Sequence, residues 1–294
     1  MKVIARAKIN LSLDVTGRRP DGYHLVRMVM QTVDVCDTLI LEKKDTEGIE
    51  LQCDAPGIPT DCGNLAWKAA DLLMREFHLG SGVRIRLQKR IPSAAGLAGG
   101  SADAAAVLRG MNRLFALGLS EEGLCSRAVQ LGADVPYCVM GGTALSEGIG
   151  EVLTKLPPLP DCYIVLAKPE DAVSTKQVYT DLDHLPAFHH PDVYGQVQAI
   201  RAGDLEGVVS RMENVLELVT VPDHPATASL IQMMKDCGAA GSMMSGSGPT
   251  VFGIFFREKD AGKAYSELEK SPLAKDVFLT RPCPDAGFVQ EDTI

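Results

Sequence analysis

"IPSAAGLAGGSADAAAVL", residues 91–108, passes from a proline through a run of glycine, alanine and serine into an alanine-rich helix. Small residues let backbone N–H groups come close to a ligand. A helix beginning near Gly100 aims the positive end of its dipole back into such a loop. The stretch reads best as a cradle for phosphate; the alternative is a place where glycine and alanine let two backbones pack tightly. It is neither a G-x-x-x-x-G-K-[ST] loop nor a G-x-G-x-x-G turn, because no lysine follows the glycines and their spacing differs. A cradle of this kind needs a lysine and a metal ion from elsewhere, with the Ser101 hydroxyl placed to meet the metal. A side chain at Gly99 is expected to block the approach of the anion.

The flanking sequence supplies the candidates. Upstream, residues 83–88 alternate as a half-buried strand, and Asn64 opens a helix with Leu65, Ala69, Leu72, Leu73 and Phe77 at helical spacing. Further back, residues 3–14 alternate so that Lys8 and Asn10 share the polar face of a strand, where Lys8 is either a solvated charge or the missing lysine. Strand-like runs at 25–35, 38–43 and 49–53 follow a "GRRPDGYH" turn. Downstream, "GADVPYCVMGGTALSEGIGEVL" reads as a turn and a hairpin, with Asp134 as a turn or helix-capping residue before Pro136. "LPPLP" at 156–160 marks the domain boundary, dividing residues 1–157 from 158–294. The second half reads as a strand at 162–168, helices across 174–236, two strands around "SGSGPT", a helix at 259–270 and a strand at 276–282.

Composition bounds the function. With 294 residues, 46% hydrophobic and 23% charged, the chain is long enough for two domains with a real core. A formal net charge of -9 disfavours nucleic-acid polymers and anionic membranes as partners, so an anionic ligand must meet a local positive site. No apolar run reaches membrane-spanning length, and Lys2, Arg6 and Lys8 interrupt any signal-peptide core; a cytoplasmic protein is expected. The eight cysteines show no C-x-x-C pair and read as buried hydrophobes.

In order along the chain, "AKINLSLDVTGRRPDGYH", "PSAAGLAGGSADAAA", "GADVPYCVMGGTAL" and "GSMMSGSGPTVFGIF" resemble the GHMP kinase superfamily, which includes galactokinases and homoserine, mevalonate and phosphomevalonate kinases. The first motif resembles the branch that phosphorylates the tertiary 2-hydroxyl of a cytidine-diphosphate methylerythritol in non-mevalonate isoprenoid synthesis. The resemblance implies an α+β fold: a ribosomal-protein-like N-terminal domain containing a left-handed βαβ unit, joined to a ferredoxin-like C-terminal domain. It implies ATP and Mg²⁺, a small-molecule acceptor, and a monomer or homodimer.

Carried onto this sequence, it gives the ATP phosphates to Pro92, Ser93, Ala94, Ala95, Gly96, Leu97, Ala98, Gly99, Gly100, Ser101 and Ala102, with Asn64 close to the adenosine. Asp134 is then the catalytic base with Lys8 beside it, and Asn10 helps hold the acceptor. Tyr23, His24, Thr175 and Tyr179 engage the cytosine end, and Gly246, Ser247 and Gly248 close the site from the second domain. Ala94, Ala95 and Ala98 stand where some relatives carry glycine, and Ala102 where a second serine is common, which leaves Ser101 as the hydroxyl for the metal. The alternatives are another small-alcohol kinase of the homoserine or mevalonate type, against which "DGYH" and Tyr179 argue, and a non-catalytic nucleotide sensor, against which Lys8 and Asp134 argue.

Overall fold

A long antiparallel hairpin, β1 (Lys2–Arg18) and β2 (His24–Lys44), forms the spine of the first half in the computed structural model, which describes residues 1–287 and 289–290. Residues 288 and 291–294 of the expected second domain lie outside the described residues. Next come β3 (Ile49–Cys53), α1 (Leu65–Glu76) and β4 (Gly82–Gln88), with β3 and β4 parallel on either side of the α1 crossover. The glycine-rich loop then feeds α2 (Gly99–Leu114), followed by α3 (Glu121–Ala128) and α4 (Val135–Met140). The hairpin of β5 (Thr143–Glu147) and β6 (Val152–Lys155) attaches to β2 through β5.

Beyond Pro160 the order is β7 (Tyr163–Lys168), α5 (Thr175–Leu182), α6 (Val193–Ala202), α7 (Leu205–Val209), α8 (Glu217–Asp223), α9 (Pro225–Asp236), β8 (Gly241–Met244), β9 (Val251–Phe255), α10 (Glu258–Glu269) and β10 (Asp276–Thr280). A short β11 (Val289–Gln290) returns to pair with β1. The first sheet runs β11-β1-β2-β4-β3 with β5 and β6 branching from β2; the second runs β10-β7-β9-β8.

The second sheet shows why its sequence alternates. Val165, Ala167, Val251 and Phe255 pack under α9 and α10 with Leu230, Met234, Ala261, Ala264 and Leu268. Their strand neighbours Ile164, Leu166, Phe252 and Ile254 face the other way and join the main core. That core runs on through β1, β2, α1 and α2.

Two readings left open by the sequence are decided by the tertiary structure. Lys8, which the alternation left as either a solvated charge or a site lysine, is buried, and so are Asn10, Ser12 and Asp14 on the same strand. On the side of β1 away from β2, this stretch is covered by the glycine-rich loop, whose Leu97 carbonyl accepts from Lys8 N, and by residues 213–215, which exchange backbone bonds with Leu13; α2 and α6 also touch β1, and register shifts at Arg6/Lys8 and Asn10/Ser12 break the simple alternation. The turn expected before the β5–β6 hairpin contains a helix, α4, which places Asp134 at a helix N-terminus.

Candidate active site

The glycine-rich loop is held from both sides. Ile91, Ala95 and Leu97 are buried anchors, and the N–H of Lys8 on β1 donates to the carbonyl of Leu97 at 3.2 Å. Alternating with the last two anchors, Ala94, Gly96 and Ala98 take left-handed conformations with φ of 49°, 72° and 56°. Alternating left-handed residues turn successive N–H groups toward one side, the geometry of an anion-binding nest. Ala98 is also the N-cap of α2 and supplies no side-chain bond, so the helix's first N–H groups have no side-chain cap in front of them.

The packing reading of the same stretch holds one residue later. A Cβ on Gly99 would meet Ile91 Cγ2 at 3.0 Å and Lys89 Nζ at 3.4 Å, so a side chain there would press beneath the loop. The expectation that Gly99 guards the anion directly is therefore corrected, and within this loop the glycine most tightly constrained by close approach is Gly96. A Cβ on Gly96 would lie 2.1 Å from the backbone oxygen of Ser245, where the loop of the second half meets the first.

Lys8 Nζ donates to Asn10 Oδ1 at 2.8 Å and to the Gly96 carbonyl at 3.2 Å, and it lies 3.7 Å from Asp134 Oδ2. Asp134 holds the N-cap position of α4 but makes no side-chain capping bond, and about a third of its side chain is open to the cleft. Its carboxylate is thus not spent on helix capping. Lys8, Asn10, Asp134 and the loop residues Pro92–Gly96 and Ala98–Ser101 line one cleft of about 1030 Å³. Leu97 and Ala102 do not line it, since both side chains are in the core. Asn64 does not either: its amide accepts from Ala66 N at 2.9 Å and donates to the Pro59 carbonyl at 2.7 Å, which makes it the N-cap of α1, while Leu65 beside it reaches the cleft.

At the far end of the cleft, the His24 and Tyr179 rings lie 4.8 Å apart at 30°, and Tyr23 is more than half exposed. Thr175 Oγ1 and Ser247 Oγ are 2.8 Å apart, joining α5 to the second glycine loop. Gly246 and Ser247 line the cleft; Gly248 does not, and a Cβ there would run into Met244.

Sequence reasoning missed several participants. Asp183, at the end of α5, pairs with His24 Nε2 at 2.7 Å and with Arg18 Nη1 at 3.0 Å, tying both ends of the β1–β2 turn to the second half. Arg18 stood inside a quoted motif, but nothing local marked Asp183. Ser245 Oγ donates to the Gly96 carbonyl at 3.0 Å, and Asn214 Nδ2 donates to the carbonyls of Met244 and Gly246. Lys89 also reaches the cleft.

Among the described residues no three His, Cys, Asp or Glu side chains gather to hold a metal ion. The Ser101 hydroxyl on the cleft wall is the kind of oxygen donor that suits a magnesium ion arriving on nucleotide phosphates, since Mg²⁺ keeps few protein ligands at such sites.

Residues 64–142 match the family of GHMP kinases N terminal domain, and residues 196–274 match GHMP kinases C terminal. A solved 4-(cytidine 5'-diphospho)-2C-methyl-D-erythritol kinase superposes with a TM-score of 0.81 at 32% identity, covering 96% of this chain and 99% of its own. Homoserine kinase from Cytophaga hutchinsonii shares the fold, with a TM-score of 0.80 at 21% identity, covering 98% and 96% of the two chains. The 4-diphosphocytidyl-2-C-methyl-D-erythritol kinase of Acetivibrio thermocellus is 50% identical over 94% of this chain and 97% of its own, and that of Lachnospira eligens is 49% identical over 95% and 97%. The chain belongs to the GHMP kinase family and, within it, to the 4-diphosphocytidyl-2-C-methyl-D-erythritol kinases.

Proposed function

We propose that the chain transfers the γ-phosphoryl group of ATP to the tertiary 2-hydroxyl of 4-diphosphocytidyl-2-C-methyl-D-erythritol, with Asp134 as general base and Lys8 as the charge beside it. The observation that carries this reading is the meeting of Lys8, Asp134 and the left-handed loop in one cleft. The hydroxyl oxygen forms the new P–O bond, the bond from the β,γ-bridging oxygen to the γ-phosphorus breaks, ADP leaves, and the hydroxyl proton passes to the Asp134 carboxylate. Lys8, bonded to the loop through Gly96, is placed to balance charge on the transferring group. The N–H groups of residues 94–101 bind the phosphates and orient them, and Ser101 offers a hydroxyl to Mg²⁺, which when bound neutralises phosphate charge. Tyr23, His24 and Tyr179 receive the cytosine, with Asn10, Thr175, Gly246 and Ser247 along the rest of the acceptor.

We take the boundary to fall after residue 157, between the last strand of the first sheet's hairpin and the first strand of the second sheet, and the protein to work in the cytoplasm as a monomer or homodimer. The test is ADP release by the purified protein given Mg²⁺-ATP with the cytidyl alcohol, mevalonate or homoserine in turn. Turnover confined to the cytidyl alcohol supports the reading. Release with homoserine or mevalonate instead makes it another small-alcohol kinase, and release with none of them makes it a sensor.

A further inference from the structure

The start of the phosphate loop rests on a buried arrangement of charges. Lys89 directly follows β4, and the three successive backbone N–H groups of residues 89–91 all end on carboxylates. Lys89 N donates to Asp54 Oδ1 at 2.9 Å, while Arg90 N and Ile91 N donate to Asp37 Oδ1 at 2.5 and 2.8 Å. Asp37, on β2, is fully buried, and its other oxygen accepts from Lys89 Nζ. The same Nζ donates to Asp103 Oδ2 at 2.7 Å, in the second turn of α2. One ammonium therefore bridges the strand side of the loop to the helix that leaves it.

Stability alone gives no reason for this arrangement. Two buried carboxyl groups share a single ammonium, and Asp103 Oδ1 has no hydrogen-bond partner. Buried ion pairs are commonly no more stabilising than apolar residues of similar volume, and an unsatisfied buried oxygen adds a cost. What the bridge does accomplish is geometric. Its members sit on β2, at the loop's start and on α2, and Nζ lies under Gly99, the first residue of the helix.

We propose that Lys89 is a positioning residue for nucleotide binding: held between Asp37 and Asp103, it fixes the start of the loop against α2 and so sets the shape in which the loop's N–H groups meet a phosphate chain. The proposal rests on the reading of residues 92–101 as the ATP phosphate site. Lys89 also borders the cleft, so a direct contact with phosphate is the competing role, and the two predict opposite signs. Cutting the Asp103 link loosens the loop in the first case. It frees an ammonium for the nucleotide in the second.

The experiment compares the full-length wild type with Asp103→Leu and Asp103→Asn, measuring melting temperature and the affinities for ATP and for the cytidyl alcohol. Asp103→Leu is expected to melt no lower than the wild type while binding ATP about tenfold more weakly, with the acceptor affinity unchanged, because about 1 Å of misplacement is enough to degrade a preorganised site. Asp103→Asn keeps an oxygen for Lys89 and is expected to lose only a few-fold; being isosteric, it carries the test alone should Asp103→Leu not fold. Unchanged or tighter ATP binding, or equal losses for both ligands, overturns the positioning role. A wild type that binds no ATP refutes the phosphate-site reading itself.

Discussion

Asp134 occupies the N-cap of α4 without using its side chain to cap it, so replacement by asparagine removes a basic oxygen and little else. Asp134→Asn is expected to lower ADP production by roughly 10² to 10⁴-fold while both substrates still bind. Lys8→Met is expected to lower turnover as well. The double variant should be little worse than the poorer single one, since the two groups face each other across 3.7 Å and act as a unit. Near-normal turnover by a folded Asp134→Asn protein would remove Asp134 from the role of base. At the other end of the cleft, Tyr179 sits against His24 and offers an aromatic plane. Base stacking contributes about 1 to 3 kcal/mol per base by alanine substitution, so Tyr179→Ala should weaken the cytidyl alcohol roughly tenfold and leave ATP affinity nearly unchanged. Titration calorimetry with each ligand separates that result from a general loss of shape, which would weaken both.

The loop between β4 and α2 works as an element because three neighbours share its backbone. β1 gives it Lys8, the second half gives it Ser245, and β2 gives it Asp37. Gly96 is where these meet: its carbonyl accepts from both Lys8 Nζ and Ser245 Oγ, its φ is 72°, and no room exists for a Cβ against Ser245. Gly96→Ala is therefore expected to push the two glycine loops apart, and ADP production and ATP affinity should fall together while far-ultraviolet circular dichroism stays native. Full activity in that variant would show that the two loops need not touch. Gly100 gives the contrast, since a Cβ there meets only Leu65 Cδ1 at 3.7 Å, and Gly100→Ala should fold normally.

For the whole molecule, the buried Asp37–Lys89–Asp103 group ties global stability to pH. Burial and the nearby Asp37 push the Asp103 carboxyl up to about 8, against the pull of Lys89. The folded chain then holds a proton that the unfolded chain has released above its ordinary carboxylate range. This stabilising contribution is complete below about pH 4 and is lost as pH rises through about 8. Urea unfolding between pH 6 and 9 should show this decline in the wild type and a flatter profile in Asp103→Asn; identical slopes would mean that Asp103 is ionised throughout. ATP at about 100 times its dissociation constant should add about 2.7 kcal/mol at any pH in that range, provided it binds only the folded state.

The sequence by itself determined most of the order of elements, though neither α4 nor β11, together with the loop and the placing of Lys8 beside Asn10, because periodicity, helix caps and glycine placement act within a few residues. It also carried the family motifs. Asn64 and Asp134 show the limit of that reading. Both precede helices, yet only the tertiary structure shows that the first spends its amide on capping while the second keeps its carboxylate for the cleft. The burial of Lys8, the seam of Gly96 against Ser245, the hold of Asp183 on His24 and Arg18, and the bridge through Lys89 join residues far apart in the chain. Such contacts arise only when two sheets close on a shared core, and a charge or a small residue looks locally the same whether or not a distant partner will cover it.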